Sequence, residues 1–226
     1  MFVLPARNEA PRVGRVIEEV RRVFPGVPVV VVENGSGDDT AAVARRAGAA
    51  VLHSQPGYAR ALHVGFRHAL DAGADWVVQM DADEQHPADA VPALLAALLD
   101  ADVVVGSRFL AAPGYRVTRS RRTANAVLAA VASVCAGQHL SDVTSGLRAW
   151  RPEALRRLVS DWPEDVADGN LLVRAVRRGL RVCELSVPMR ERSGGRSQHA
   201  GAAGVVFAAR TLVLTAREGL GSPSRR

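Results

Sequence analysis

Val77-Val78-Gln79-Met80-Asp81-Ala82-Asp83-Glu84-Gln85-His86-Pro87 is the stretch on which the fold turns. An apolar run ends in two carboxylates spaced by two, then in a turn-prone His-Pro. In an extended chain, residues i and i+2 point to the same face. The spacing therefore predicts that Asp81 and Asp83 project together from the carboxyl end of a strand. Open α/β sheets bind ligands at that edge. Two hard, anionic oxygen donors there suit Mg²⁺ or Mn²⁺ bridging to a diphosphate. A solvated acidic turn is the plain alternative for an isolated Asp-x-Asp, so the rest of the chain decides.

Around that stretch, strand and helix patterns alternate. Strands are expected over residues 2–4, 27–32, 49–52, 76–80, 102–105 and 181–187. Helices are expected over 11–24, 38–47, 58–72, 87–99, 123–136, 152–159, 169–178 and 202–217. Val13, Val16, Ile17, Val20 and Val23 recur at helical spacing, and the all-apolar 27–32 run is typical of a buried parallel strand. Such βαβ alternation predicts an α/β fold with a mostly parallel sheet and helices on both faces. The chain reads as one domain of residues 1–200 followed by a C-terminal amphipathic helix and frayed tail, 201–226. Residues 114–122 carry four Arg without strong periodicity and read as a mobile basic loop.

Composition narrows the function classes. The 226 residues are 48% apolar, enough for a core, and a mean hydropathy of +0.03 is too low for a chain made mainly of membrane spans. The apolar run 205–214 has Arg210 at its centre, and a charge at mid-bilayer is costly, so a surface helix is expected there. No basic n-region precedes Phe2-Val3-Leu4, so no signal peptide is expected. The expected location is cytoplasmic, with peripheral contact on the inner face of the membrane as a further expectation. The net charge is +6, and every basic residue is Arg. Arg grips phosphate in bidentate fashion, which suits a phosphate-rich ligand or an anionic surface. Aromatic content of 4% and the lack of a binding motif argue against nucleic acid. Cys135 and Cys183, far apart, read as buried thiols in a reducing compartment. The six His show no metal-ligand spacing with Cys, which argues against zinc.

Further motifs follow the other strands. Pro5-Ala6-Arg7-Asn8-Glu9 reads either as a helix-capping loop or as a nucleotide-facing loop. Glu33-Asn34-Gly35-Ser36-Gly37 permits a sharp turn and either caps a helix or meets a nucleobase. Neither G-x-G-x-x-G nor G-x-x-x-x-G-K-[ST] occurs, which removes dinucleotide oxidoreductases and P-loop hydrolases. G-x-S-x-G is absent too, which weakens a Ser hydrolase. Gly106-Ser107-Arg108 is a surface cation or a phosphate clamp. Ser141 to Arg148 supplies hydroxyls and Gly in a loop. Arg192-Ser193-Gly194-Gly195-Arg196-Ser197-Gln198 is a solvated linker or an Arg-bearing lid.

Taken in order, these motifs resemble family 2 glycosyltransferases of the GT-A (Rossmann-like) fold, and among them dolichyl- or polyprenyl-phosphate mannose and glucose synthases. Leu4 to Glu9 is similar to P-x-[YR]-N-E, Val32 to Ser36 to V-D-D-G-S, and Met80 to Pro87 to M-D-A-D-L-Q-H-P. Val105 to Phe109 is similar to G-[ST]-R-[YF], Thr144 to Ala149 to T-S-G-F-R-A, and Arg192 to Gln198 to R-x-x-G-x-S-K. The resemblance covers roughly the first 200 residues.

It implies an inverting, metal-dependent transferase that moves a hexose from a nucleotide-sugar, GDP-mannose or a UDP-hexose, to a polyprenyl or dolichyl phosphate. It implies a nucleotide-sugar site of Pro5, Arg7, Glu9, Val32, Asn34, Asp81, Ala82, Asp83, Arg108, Arg192 and Gln198. Mg²⁺ or Mn²⁺ would sit on Asp81, Asp83 and Gln85, and Asp81, Asp83 and Arg108 would act in catalysis. The sequence departs from the pattern at Glu33-Asn34, Gln198 and Asn170, which bear on base choice, phosphate charge and the acceptor side. If the acceptor is a hydroxyl, Asp165 or Asp168 would have to take its proton. Two rival readings are a soluble transferase acting on a small-molecule acceptor such as a secondary metabolite, and a non-catalytic nucleotide-sugar binder.

Overall fold

The computed structural model describes residues 1–110, 119–190 and 202–220. The strands are β1 (Phe2–Ala6), β2 (Val29–Glu33), β3 (Ala50–His53), β4 (Val77–Gln79), β5 (Val103–Ser107), β6 (Arg148–Trp150) and β7 (Val182–Ser186). The helices are α1 (Val13–Val23), α2 (Thr40–Arg46), α3 (Tyr58–Asp71), α4 (Val91–Ala97), α5 (Arg119–Ala136), α6 (Pro152–Val159), α7 (Gly169–Arg177) and α8 (Ala202–Leu220). Among the described residues the strands form one sheet, in the order β3-β2-β1-β4-β6-β5-β7. All pairings are parallel except those of β6, which runs against both β4 and β5.

The predicted mostly parallel sheet is therefore present, with one strand the sequence reading missed. β6 is three residues long and begins with an arginine. Neither apolar alternation nor length marks it. It forms because the edges of β4 and β5 need partners: Gln79 and Val105 both register with Arg148.

The sheet divides two cores, as helices on both faces require. Val3, Val30, Val32 and Val77 pack on the side of α3, α6 and α7, while Phe2, Leu4, Val29, Val31 and Val78 pack on the side of α1 and α4. α1 buries Val13, Val16, Ile17 and Val20, the predicted stripe. α8, expected over 202–217, extends to Leu220 and packs on α5 and α7, tied by the Arg174–Glu218 ion pair. At the α5–α8 contact a Cβ on Gly219 would lie 2.4 Å from the Cys135 sulfur. Cys135 and Cys183 are free thiols and half-buried, rather than buried as expected.

α3 lies directly on β1. A Cβ at Gly65 would stand 2.3 Å from Val3 Cγ1. Alanine in place of a helical glycine gains about 1 kcal/mol of helix propensity, but overpacking a core costs ~1–3 kcal/mol. Val3 is β-branched and sits on an inner strand, so it has little room to rotate away. Gly65→Ala is expected to lower the unfolding free energy by about 2 kcal/mol in chemical denaturation; an unchanged midpoint would show that α3 can lift off the sheet freely.

Candidate active site

Five carboxyl-edge segments converge: the loops after β1, β2, β4 and β5, and the loop that precedes the reversed β6. β4 ends at Gln79, its last rung being Met80 N–H donating to Val3 C=O at 3.1 Å. Asp81 and Asp83 thus lie beyond the strand, in a bend where Glu84 takes φ 68°. This corrects the alternation argument: the acidic pair reaches the sheet edge as predicted, but a turn, not an extended chain, presents it.

The two carboxylates have different surroundings. Asp81 accepts the Tyr58 hydroxyl at Oδ1 (2.8 Å), and Tyr58 in turn accepts the Gln79 side-chain amide (3.0 Å). Its Oδ2 faces His86 Nε2 at 3.7 Å and the backbone of Gly146, where any Cβ would be 2.1 Å away. Asp83 Oδ1 accepts the Gln85 backbone N–H at 3.2 Å, and Gln85 is itself held to the Arg190 backbone (2.9 Å). Ala82 is buried between them. Asp83 and Gln85 offer hard oxygen donors on one turn, a set that fits Mg²⁺ or Mn²⁺. Among the described residues no cluster of three or more His, Cys, Asp or Glu side chains forms a closed metal cage.

Arg108 departs from the expected open phosphate clamp. Its Nε and Nη2 grip the buried Asp142 at 2.7 and 2.6 Å, and Nη2 also donates to Thr144 Oγ1 at 2.8 Å. Asp142 takes the Arg108 backbone N–H as well (3.0 Å). Arg108 therefore fixes the 141–146 loop against the end of β5. Two residues beyond that loop, Arg148 is fully buried and donates to the carbonyls of Val143 and Ala167, both at 3.1 Å, with Asp168 at 4.0 Å. Burial pushes the Asp168 carboxyl up to about 6, opposed by Arg148 and reinforced by Asp81. Burial also pushes the His86 imidazole down, against the pull of Asp81 and Asp83.

The loop after β1 is stapled to the loop after β2. The Asn8 backbone N–H donates to Ser36 Oγ (3.0 Å), Gly37 N–H donates to Asn8 Oδ1 (2.8 Å), and Glu9 N–H donates to Thr40 Oγ1 (2.8 Å). Pro5 is buried in β1 and Arg7 is exposed. Glu9 is buried and paired with Arg12 at 2.5 Å. Glu33 pairs with His53 at 3.1 Å and holds the Ser36 backbone. Val32 is fully buried, with its Cγ2 against the Gly65 backbone. Its side chain points into the core beneath α3. Asn34 is buried beside the edge with Oδ1 lacking a hydrogen-bond partner. Arg192, Arg196 and Gln198, with most of the expected basic loop 114–122, lie outside the described residues.

Asp165 pairs with Arg210 at 2.9 Å on the surface, both side chains more than half exposed. Asn170 accepts the Asp168 N–H (3.0 Å) and donates to the Val166 carbonyl (2.6 Å). A carboxylate there has no proton to donate, so the departure from the pattern serves the loop. Sequence reasoning gave no role to Tyr58, Gln79, His86, Asp142 or Arg148. Only the buried-polar character of Gln79 and Arg148 within apolar runs hinted at them.

The sheet order and its acid-bearing edge are those of a GT-A glycosyltransferase. Residues 1–159 match Glycosyl transferase family 2, and the chain belongs to that family. A dolichyl-phosphate hexose transferase of Haloferax volcanii is 33% identical over 195 residues, 85% of this chain and 83% of that protein. An undecaprenyl-phosphate mannosyltransferase of Micrococcus luteus is 32% identical over 214 residues, 89% of this chain and 87% of that protein. A glucosyl-3-phosphoglycerate synthase of Mycobacterium tuberculosis, solved with Mn²⁺, uridine-diphosphate-glucose and phosphoglyceric acid, superposes with a TM-score of 0.71 at 23% identity. That superposition covers 96% of this chain and 78% of the synthase, and it shows the fold.

The raised Asp168 carboxyl has a pH signature. The folded state holds its proton more tightly than the unfolded state, so stability is lost as pH rises from about 4 to about 6. Measured against Asp168→Asn across that window, the wild type is expected to lose up to ~3 kcal/mol, at ~1.4 kcal/mol per pKa unit. A pH-independent difference between the two proteins would mean that Asp168 titrates normally.

Proposed function

We propose that this glycosyltransferase moves a hexose from a nucleoside-diphosphate sugar to the phosphate of a polyprenyl-type lipid, with inversion at the anomeric carbon. One observation carries this reading. Asp81 and Asp83 share a single edge with the ion pairs Arg108–Asp142 and Arg148–Asp168, a concentration of charge suited to a charged ligand. The relatives named for dolichyl and undecaprenyl phosphate, matched over most of their length, support the acceptor class.

In this reading the loop after β1, with Pro5, Arg7 and the backbone around Glu9, and Asn34 beyond β2 cradle the nucleoside. Asp83 and Gln85 hold the divalent cation, and Asp81 contributes a fixed acceptor towards the sugar diphosphate. Arg192 and Gln198 are assigned to the phosphates by motif alone. The bound cation would supply positive charge opposite the diphosphate as it departs. A phosphate-monoester oxygen of the acceptor forms the new bond to the anomeric carbon. The old carbon–oxygen bond breaks, and its electron pair leaves with the nucleoside diphosphate. The acceptor is already an anion near neutral pH, so the step needs no general base. Arg108, fastened to Asp142 and Thr144, holds the loop that borders the acceptor side.

The Mycobacterium tuberculosis synthase was solved with a small phosphorylated acid, and it supports a second reading, a water-soluble phosphorylated acceptor. The outer faces of α5 and α8 favour the lipid. Val127, Val134, Val206, Val213 and Leu220 are all at least half exposed, at seven-residue spacings along each helix, with exposed Arg122 and Arg217 at the rim. An apolar stripe edged by arginines suits the surface of an anionic bilayer. Among the described residues no helix is long and apolar enough to cross a membrane.

Two measurements test the proposal. Asp83→Ala is expected to lower turnover of GDP-mannose or UDP-glucose, with Mn²⁺ and polyprenyl phosphate, by 100-fold or more; equal product release from both proteins would remove Asp83 from the cation site. Wild-type protein is expected to float with anionic liposomes, and Val134→Glu combined with Val213→Glu to stay in the aqueous phase. Equal flotation of the two, or none by the wild type, would overturn the docking face.

A further inference from the structure

We infer that Tyr58 is a positioning residue for the transferase reaction: its hydroxyl locks the Asp81 carboxylate into the one orientation that recognises the sugar part of the donor. The inference rests on the proposed donor site and adds a residue to it.

Tyr58 opens α3, directly after Gly57, whose φ of 141° few side chains tolerate. That turn drops the phenol inward, under the sheet edge. The hydroxyl has one proton and uses it on Asp81 Oδ1 at 2.8 Å; its oxygen accepts the Gln79 Nε2 proton at 3.0 Å. Because Gln79 donates to the phenol oxygen, the phenol proton can point only at Asp81. Tyr58 is therefore the donor of this pair and Asp81 the acceptor.

The other carboxylate oxygen has no room to swing. Gly146 lies so close to Asp81 Oδ2 that a Cβ would sit 2.1 Å away, and His86 Nε2 is 3.7 Å off on another side. Three elements far apart in sequence thus box one carboxylate. A hydrogen-bonded box suits a metal-binding carboxylate as well; what separates the two aspartates is place, Asp83 sharing a turn with Gln85 while Asp81 is set against α3 and the 141–146 loop. A group that must meet fixed hydroxyls on a ligand gains most from such fixing, because misplacement by about 1 Å at such a site costs ~100-fold. The labour then divides: Asp83, on the bend, faces the cation, and Asp81, boxed, reads the sugar.

Tyr58→Phe keeps the ring and removes only the hydroxyl. Titration calorimetry with Mn²⁺ present compares a nucleotide-sugar with its free nucleoside diphosphate. Tyr58→Phe is expected to weaken the nucleotide-sugar at least tenfold and to change the free diphosphate less than twofold. A merely structural residue would weaken both alike, which would overturn the inference, as would wild-type affinity for both. Adding Tyr58→Phe to Asp81→Asn is expected to cause no further loss, and additive losses would also overturn it. Should Tyr58→Phe fold poorly, Gln79→Met frees the phenol from its other partner and is expected to show the same sugar-selective loss, about threefold; no loss would count against the proposal. Failure of the wild type to bind any nucleotide-sugar would instead defeat the donor-site reading.

Discussion

A single buried guanidinium holds this molecule's working edge together. Arg148 begins the reversed strand β6, has no exposed surface, and donates to the carbonyls of Val143 and Ala167 while facing Asp168. Burying an ion is unfavourable unless partners surround it. Two loops supply those partners, and each is thereby fixed: the one that carries Asp142, Thr144 and Gly146, and the one that leads into α7. Remove the charge and the loop into α7 loses this link to the sheet, while the 141–146 loop keeps its ties to Ser107, Arg108 and Glu184. The Gly146 backbone that closes the β4 edge beside Asp81 would then be held by fewer bonds.

Around that cation the site is a graded crowd of charges. Asp142 is matched by Arg108 at short range and stays a plain ion pair. Asp168 is matched only at 4.0 Å, and burial wins over attraction, so its carboxyl holds a proton unusually well. Asp81 is held by a neutral donor, the Tyr58 hydroxyl, rather than by an arginine. Asp83 lies in the bend, half-buried, and accepts the Gln85 backbone N–H. One acidic neighbourhood therefore contains carboxylates of quite different character, and distance to arginine separates them.

Much of this was legible in the chain. The alternation of apolar runs gave the sheet, and the Asp-x-Asp after one run gave its functional edge. What failed to show has a common cause: it depends on pairs distant in sequence. Tyr58 and Asp81 are 23 residues apart, Arg108 and Asp142 are 34 apart, and no local pattern announces either pair. β6 is too short for periodicity and exists only because two neighbours leave a gap. A motif position also says nothing about which way a side chain points: the place of Val32 in its strand turns that side chain into the α3 core. Asn170, a departure from the acidic pattern, uses its amide hydrogen on the Val166 carbonyl, a partner that no motif position announces.

The reversal of β6 has one more effect. Every parallel strand of a sheet hands its following loop to the carboxyl rim. A reversed strand hands over the loop before it and sends the loop after it to the opposite rim. Here Arg148 registers with Gln79, and Trp150 with Val77, at the far end of β4. Lengthening the chain just after Trp150 would thus add material beneath the sheet, remote from the chemistry. Lengthening it just before Arg148 would push into the catalytic mouth. For anyone wishing to append a tag, a tether or a reporter within this protein, the direction in which three residues run decides which junction is safe.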